Sequence, residues 1–310
     1  MNNQIQALLD SVEQVIVGKR PVIARVVAAL LCNGHVLIED VPGVGKTQLA
    51  ASLSRSLGGS FNRIQLTPDI MPSDVVGFSM VDQQTGAMEY RPGAAMCNFL
   101  LADEINRASP KVQSSLLEVM EEYQISLDGE TRPLPRPFMV LATQNPVETY
   151  GTYHLPEAQM DRFFMRISMG YPTLEEEMRI LERTERCNPI ENIKAPAVSL
   201  ETVLQLQEQV TRVTVAESVK AYILSIVDAT RHMEEVTLGV SPRGSIALYK
   251  AAKANAFMME RSYVIPGDVK TMAESVLAHR IMLSAKGKTV FGTAQACLAS
   301  VLERVPVPMG

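Results

Sequence analysis

No apolar run in the 310-residue chain approaches the ~20 residues needed to cross a bilayer; the longest strongly apolar stretch lies around Val26 to Cys32. The amino-terminal MNNQIQALLDSVEQ lacks a basic segment followed by an apolar one, so no export signal is expected and a cytoplasmic location is. A basic excess is missing as well. The formal net charge is −5, which removes any bulk electrostatic reason to bind nucleic acid. The four cysteines, Cys32, Cys97, Cys187 and Cys297, form no CxxC pair, and the four histidines show no metal-ligand spacing. Reduced, buried thiols are therefore expected, and no zinc or redox centre. Low-complexity segments and internal repeats are absent too.

What remains is the composition of a soluble globular protein, 46% hydrophobic and 20% charged, long enough for two domains on a prior of roughly 150 residues each. KRPVIARVVAALLCNG carries apolar residues at helical spacing and predicts a helix closed by Gly34. A short strand, Val36 to Ile38, follows. TQLAASLSRSLGG predicts a helix with Leu49, Leu53 and Leu57 on one face, and FNRIQL, NFLLA, FMVLAT and FFMRISM each predict a strand. Strands alternating with helices imply a mostly parallel, five-stranded sheet covered on both faces.

Two segments interrupt that alternation as β-hairpins: VVGFSMVDQQTGAMEYRPG, turning near Gln84 to Gly86, and YQISLDGETRPL, turning at Asp128-Gly129. Between them SPKVQSSLLEVMEEY predicts a helix with Ser109 as N-cap and Pro110 at its first position. Thr173 and Glu176 form a capping box ahead of a charged helix. A loop with Pro189 and Pro196 then leads into an all-helical region whose helices start at Thr214 with Glu217, at Ser241-Pro242 and at Pro266-Gly267-Asp268. The predicted division is an α/β domain over residues 1–185 and a helical domain over residues 186–310.

The chemistry begins at VLIEDVPGVGKTQLA, where Gly43, Gly45, Lys46 and Thr47 sit at a strand-to-helix junction. Backbone N–H groups at a helix start can cradle phosphates, a lysine can bridge β and γ oxygens, and a threonine hydroxyl can ligate Mg²⁺. Asp40 stands where the general motif has its first glycine. It lies several residues before the cradling amides, and aspartate tolerates left-handed backbone, so Asp40→Gly is expected to leave ATP binding largely intact. NFLLADEINRA ends an apolar strand in Asp103 and Glu104. There the first carboxylate would hold Mg²⁺ through its waters and the second would activate the attacking water, a contribution of roughly 10²- to 10⁴-fold. FMVLATQNP ends another strand at Asn145, whose amide can hold the same water. Arg162 in LPEAQMDRFF falls between a helix and a strand, where an arginine finger or a cation at a helix C-terminus would sit. Arg243 in GVSPRGS falls in the first turn of a helix, where the dipole disfavours a cation unless an anion is near. Each piece alone has an ordinary structural explanation; their order along one chain does not.

That order resembles the AAA+ ATPases over nearly the whole chain, and EDVPGVGKT, LTPDIMPSDVVG, EYRPG, LADEINRASPKVQSSLLEVMEE, LATQNP and LPEAQMDRF are similar to the MoxR family among them. The resemblance implies a P-loop AAA+ core with the first hairpin as a helix-2 insert and the second as the hairpin before sensor 1, plus a small all-α lid. Both hairpins would face the pore of a ring, usually hexameric. It implies ATP and Mg²⁺ as ligands. The nucleotide would touch Val17 and Gly18 on the adenine side, Pro42, Gly43, Val44, Gly45, Lys46, Thr47 and Gln48 in the loop, and Asp103. Thr47 and Asp103 would serve the metal. Glu104, Asn145, Arg162, Arg243 and Lys46 would be catalytic, with Arg162 reaching a neighbouring subunit's nucleotide and Arg243, as sensor 2, acting in its own subunit or across the interface. The family implies a chaperone-like remodeller working on a protein client, with a partner bearing a von Willebrand factor A-type domain on a separate chain. A nucleic-acid motor is the alternative from another class, because relatives with the same insert include DNA helicases; the acidic net charge and the hairpin tips DQQTG and LDGET argue against it.

Overall fold

The computed structural model describes residues 2–84, 86–146, 152–184 and 189–308. It opens with two helices, α1 (Asn3–Glu13) and α2 (Arg20–Leu31). The Asn2 side chain caps α1 by accepting from the N–H groups of Gln4 and Ile5. At the other end of α2, Gly34 N donates to Ala29 O at 2.8 Å and Asn33 N to Leu30 O at 3.1 Å, with Asn33 in left-handed backbone at φ 52°. The left-handed cap residue is thus Asn33, one position before the expected Gly34.

The sheet is built from β1 (Val36–Glu39), β2 (Phe61–Gln65), β5 (Phe99–Asp103), β8 (Met139–Gln144) and β9 (Met165–Ile167). Its order is β2-β5-β8-β1-β9, every pair parallel. Helix α3 (Lys46–Leu57) follows β1, and α4 (Pro72–Val76) and α5 (Pro110–Glu122) follow β2 and β5. Side chains alternate across the strands. Val36, Ile38, Phe99, Leu101, Met139 and Leu141 pack with α1, α2 and α3 on one face, whereas Leu37, Leu100, Ala102, Val140 and Ala142 pack with α4 and α5 on the other. Leu49, Leu53 and Leu57 are buried as their spacing predicted. Ser109 and Pro110 open α5, but the serine side chain makes no capping bond.

Both hairpins are present: β3 (Phe78–Val81) with β4 (Met88–Arg91), and β6 (Gln124–Leu127) with β7 (Glu130–Pro133). Asp128 and Gly129 both take positive φ, 53° and 78°, as a two-residue turn of the I′ kind demands. The first turn closes by Asp82 N donating to Ala87 O at 2.8 Å; Thr85, inside it, lies outside the described residues. The Arg132 guanidinium stacks over the Tyr90 ring at 4.3 Å and joins one hairpin to the other.

After the short α6 (Glu157–Met160) and β9, α7 (Leu174–Thr184) starts with the expected box: Thr173 N donates to Glu176 Oε2 at 2.9 Å and Glu176 N to Thr173 Oγ1 at 3.3 Å. The predicted domain division, and Cys187 with it, lie outside the described residues; Cys97 and Cys297 are buried free thiols, and Cys32 is a partly buried one. The remaining helices are α8 (Leu200–Thr211), α9 (Glu217–Arg231), α10 (Pro242–Met258), α11 (Pro266–Leu277), α12 (Ala285–Phe291) and α13 (Ala294–Arg304). A two-stranded pair, β10 (Val236–Leu238) with β11 (Met282–Leu283), adds a detail the sequence did not suggest. Thr214 does not cap α9, whose N-cap is Ala216; Thr214 instead bridges to Tyr263, a tertiary contact that outweighs a local capping preference. Helices α8 and α10 pack on α2, and Gln207 Nε2 donates to Leu30 O at 2.7 Å, so one apolar cluster runs from the sheet into the helical region.

Candidate nucleotide site

Ligands of open parallel sheets bind beyond the carboxyl ends of the strands, and that edge here collects the ends of β1, β5 and β8. The loop after β1 turns through Gly43 at φ 86° and Gly45 at φ 92°, with Gly45 as the N-cap residue of α3. A Cβ added at Gly43 would meet nothing within 4 Å, so glycine is required there by the backbone conformation and not by crowding. The first N–H groups of α3 have no partner inside the helix and offer an anion site. Lys46 Nζ folds back on the loop, donating to Asp40 O at 2.8 Å and Val41 O at 3.3 Å.

Beside the loop lies a cavity of about 530 Å³, of a size that suits a small-molecule ligand. Val15, Ile16, Val17, Val44, Met169 and Ile180 give it apolar walls suited to a base, and Gly43, Gly45 and Gln48 form its loop side. Pro42 and Gly18 are not among its described lining residues. Gly18 sits behind the wall, at φ 72°, where an added Cβ would fall 1.8 Å from Glu176 Oε1; it lets the first turn of α7 approach. Lys19 ties the same region from the other side, donating to Tyr171 O at 3.0 Å and lying 3.7 Å from Glu176.

Asp40 is 7% exposed and does not take left-handed backbone, so the tolerance argued from aspartate's conformational range is not needed. Its Oδ2 accepts from Met169 N at 2.6 Å, Gly170 N at 2.8 Å and Ser168 Oγ at 3.0 Å, and its Oδ1 from Val41 N at 2.9 Å.

At the end of β5, Glu104 takes left-handed backbone at φ 59°, a conformation that costs on the order of 1–3 kcal/mol for a non-glycine residue and gathers at functional sites. Its N–H donates to Thr143 Oγ1 at 2.9 Å, and that hydroxyl donates in turn to Asp103 Oδ1 at 2.5 Å. Thr143 therefore locks β5 to β8 through the two acidic residues. It escaped the sequence reading because its only signal was its place two residues before Asn145. Asp103 Oδ2 accepts from Arg63 at 2.7 Å and Glu104 Oε2 from Arg107 at 3.0 Å. Asn145 is buried just past the end of β8. Among the described residues no group of three or more acidic, histidine or cysteine side chains could cage a metal. One hydroxyl, Thr47, and one carboxylate, Asp103, are hard oxygen donors of the sparse kind that suits Mg²⁺ shared with phosphates and water.

Arg162 and Arg243 line a different cleft, and the described linings of the two cavities have no residue in common. Both arginines pair with Glu121: Arg243 with Oε1 at 2.7 Å, Arg162 with Oε2 at 3.3 Å. The anion expected near Arg243 is thus, in this chain, a carboxylate. Ser241 caps α10, accepting from Gly244 N at 3.3 Å, while its hydroxyl donates to Asp161 Oδ2 at 2.8 Å. Arg280, buried, donates to Asp161 Oδ1 at 2.7 Å and to Phe163 O at 2.7 Å. Burial pulls its guanidinium below the usual arginine range, and Asp161 opposes that shift. Neighbouring His279, partly buried, is held well below the usual histidine range by desolvation first and by the Arg280 charge second. Arg280 is the second residue the sequence reading missed; it clamps the segment that carries Arg162 to the helical region.

The comparisons with known proteins agree with this geometry. The sequence pattern of the ATPase family associated with various cellular activities (AAA) matches residues 35–165, and that of the AAA lid domain matches residues 228–296. The chain is 50% identical over 301 residues to the uncharacterized protein YeaC of Bacillus subtilis, covering 97% of this chain and 94% of that one. It is 40% identical over 313 residues to Chaperone MoxR1 of Mycobacterium tuberculosis, covering 98% and 82%. A crystal structure of a Cytophaga hutchinsonii protein superposes with a TM-score of 0.91 at 38% identity, over 99% of this chain and 96% of that one. The chain belongs to the MoxR family of AAA+ ATPases.

Proposed function

We propose that this protein hydrolyses ATP within a homo-oligomeric ring, usually hexameric in such ATPases, and uses the energy to remodel protein complexes during their maturation or assembly. Residues 1–185 would form the nucleotide-binding body and residues 186–310 the lid. Val17 and the loop from Pro42 to Gln48 would hold ATP, with Lys46 leaving the carbonyls of Asp40 and Val41 for the β and γ oxygens. Glu104, held by Thr143 and Arg107, would orient and deprotonate the attacking water, and Asn145 would keep it in line. Thr47 and Asp103 would hold Mg²⁺, which would neutralise charge developing on the phosphates.

The observation that carries the ring is the separation of the parts. The cavity beside the phosphate loop has no arginine among its described lining residues, while Arg162 and Arg243 stand together on Glu121 in another cleft. A neighbouring copy would bring both to the γ-phosphate, so we read Arg243, like Arg162, as acting across the interface. Further support comes from α7, beside the cavity, where Leu174, Met178 and Leu181 recur at helical spacing and are 86%, 58% and 59% exposed. Such a stripe is one a second subunit would cover. The first hairpin exposes Phe78, Met80, Val81 and Met88, apolar side chains that suit a protein client better than a phosphate backbone. A partner with a von Willebrand factor A-type domain, supplied in trans in the cytoplasm, completes the proposal. ATPase turnover per subunit measured over a protein dilution series tests it: turnover should rise with concentration, and concentration-independent turnover by a monomer would refute it.

A further inference from the structure

The sequence left Asp40 as a tolerated departure from the phosphate-loop pattern, and the structure makes it the hub of the strand ends. Its Oδ2 gathers three donors from one short segment, Ser168, Met169 and Gly170, at 3.0, 2.6 and 2.8 Å, while Oδ1 takes Val41 N of the phosphate loop at 2.9 Å. Met169 and Gly170 are also cavity wall. The Met169 methyl comes within 3.8 Å of where a Cβ on Gly45 would lie, so this wall closes directly over the loop. The backbone joins in: Asp40 N donates to Gln144 O at 3.1 Å, next to Asn145. The four donors also explain why an anion is tolerated near a polyphosphate, since both of its oxygens are already engaged.

We propose that Asp40 is a positioning residue that fastens the base-side wall, residues 168–170, to the phosphate loop, and so sets affinity for the nucleoside half of the ligand and not for its phosphates. The inference rests on the proposed nucleotide reading of this cavity. With glycine at position 40, three backbone N–H groups, one of them Val41 N, and a hydroxyl lose their acceptor; the wall loses its anchor, while the N–H groups at the start of α3 lose no partner. This reverses the expectation drawn from sequence, that Asp40→Gly is nearly silent.

The test is calorimetric binding of ATP and of inorganic tripolyphosphate, without Mg²⁺ turnover, to the parent, Asp40→Gly and Asp40→Asn, with a melting temperature for each. Asp40→Gly should lose at least about tenfold in ATP affinity while tripolyphosphate affinity stays within about twofold or tightens. Asp40→Asn, which can keep its oxygen toward residues 168–170 and turns a donor only toward Val41 N, should fall between, and it carries the test if the glycine variant does not fold. ATP affinity unchanged in both variants would overturn the proposal. So would a parallel loss of ATP and tripolyphosphate affinity with a lowered melting temperature, which would mark Asp40 as a general prop of the fold. A parent that binds neither ligand would refute the nucleotide reading itself, a result distinct from either.

Discussion

Glu104 combines two properties that a purely structural residue seldom needs together: a strained left-handed backbone and a carboxylate held by a neighbouring arginine at the mouth of the sheet edge. Glu104→Gln keeps the shape and removes the base. It should bind ATP within a few-fold of the parent yet hydrolyse it about 10²- to 10⁴-fold more slowly, measured by single-turnover phosphate release; parent-like release would remove Glu104 from the base role. His35 gives a prediction of another kind. Its Nδ1 accepts from Val140 N at 2.9 Å and its Nε2 faces Met120 O at 2.8 Å, and burial pulls its pKa down to about 4. The folded protein therefore leaves this ring neutral where the unfolded chain, titrating near 6.5, takes up a proton. Stability from this group is complete above about pH 6.5 and is lost as pH falls toward 4, by about 3 kcal/mol in all; His279 acts in the same direction. Urea midpoints should drop between pH 7.5 and pH 5, and equal midpoints would contradict the assignment. At this scale the placement of Lys46, Thr47, Asp103, Glu104 and Asn145 was legible because each lies at the end of a strand or the start of a helix within a local pattern. The bonds of Asp40 to Ser168, Met169 and Gly170 were not, because those donors lie 128 to 130 residues downstream.

Among the elements, most readings that rest on local rules came through, Ser109, which opens α5 without a capping bond, being an exception. The Asp128-Gly129 turn, the Thr173–Glu176 box and the Ser241 cap need only neighbours in sequence, and the structure has all three. Helix α9 does not start at Thr214, because that residue bridges to Tyr263, far along the chain. The proposed role of α7 was likewise hidden: its exposed stripe reads in sequence as an ordinary amphipathic face, and only the fold shows that Leu174, Met178 and Leu181 stay exposed among the described residues. Because Leu181 is already exposed, Leu181→Asp should leave the melting temperature of the monomer within about 1–2 °C while weakening self-association at least about tenfold. Sedimentation velocity across a dilution series reads the second effect. Unaltered association would mean that another face joins the subunits. The hairpins invite a companion variant: Arg132→Ala removes the stack on Tyr90, worth about 0.5–2 kcal/mol at a half-buried site, and should loosen one hairpin from the other in hydrogen exchange without unfolding either.

For the whole molecule, the parallel five-stranded sheet and the helical region after it followed from alternating patterns, whereas the strand order and the arrangement of the arginines did not. Arg162 and Arg243 are 81 residues apart in sequence, and only the packing of α10 and Arg280 against the 161–164 segment brings them to one carboxylate. The central claim is that the catalytic unit spans two subunits. Mixing two variants that are each inactive tests it most directly. Lys46→Ala lacks a working phosphate loop and keeps Arg162; Arg162→Ala keeps the loop and lacks the arginine. In randomly mixed rings with equal parts of each, about a quarter of the heterologous interfaces would join an intact loop to an intact arginine. The account predicts that ATPase activity absent from either variant alone returns on mixing, toward that fraction of the parent's turnover. No recovery on mixing, or an Arg162→Ala protein as active alone as the parent, would contradict it.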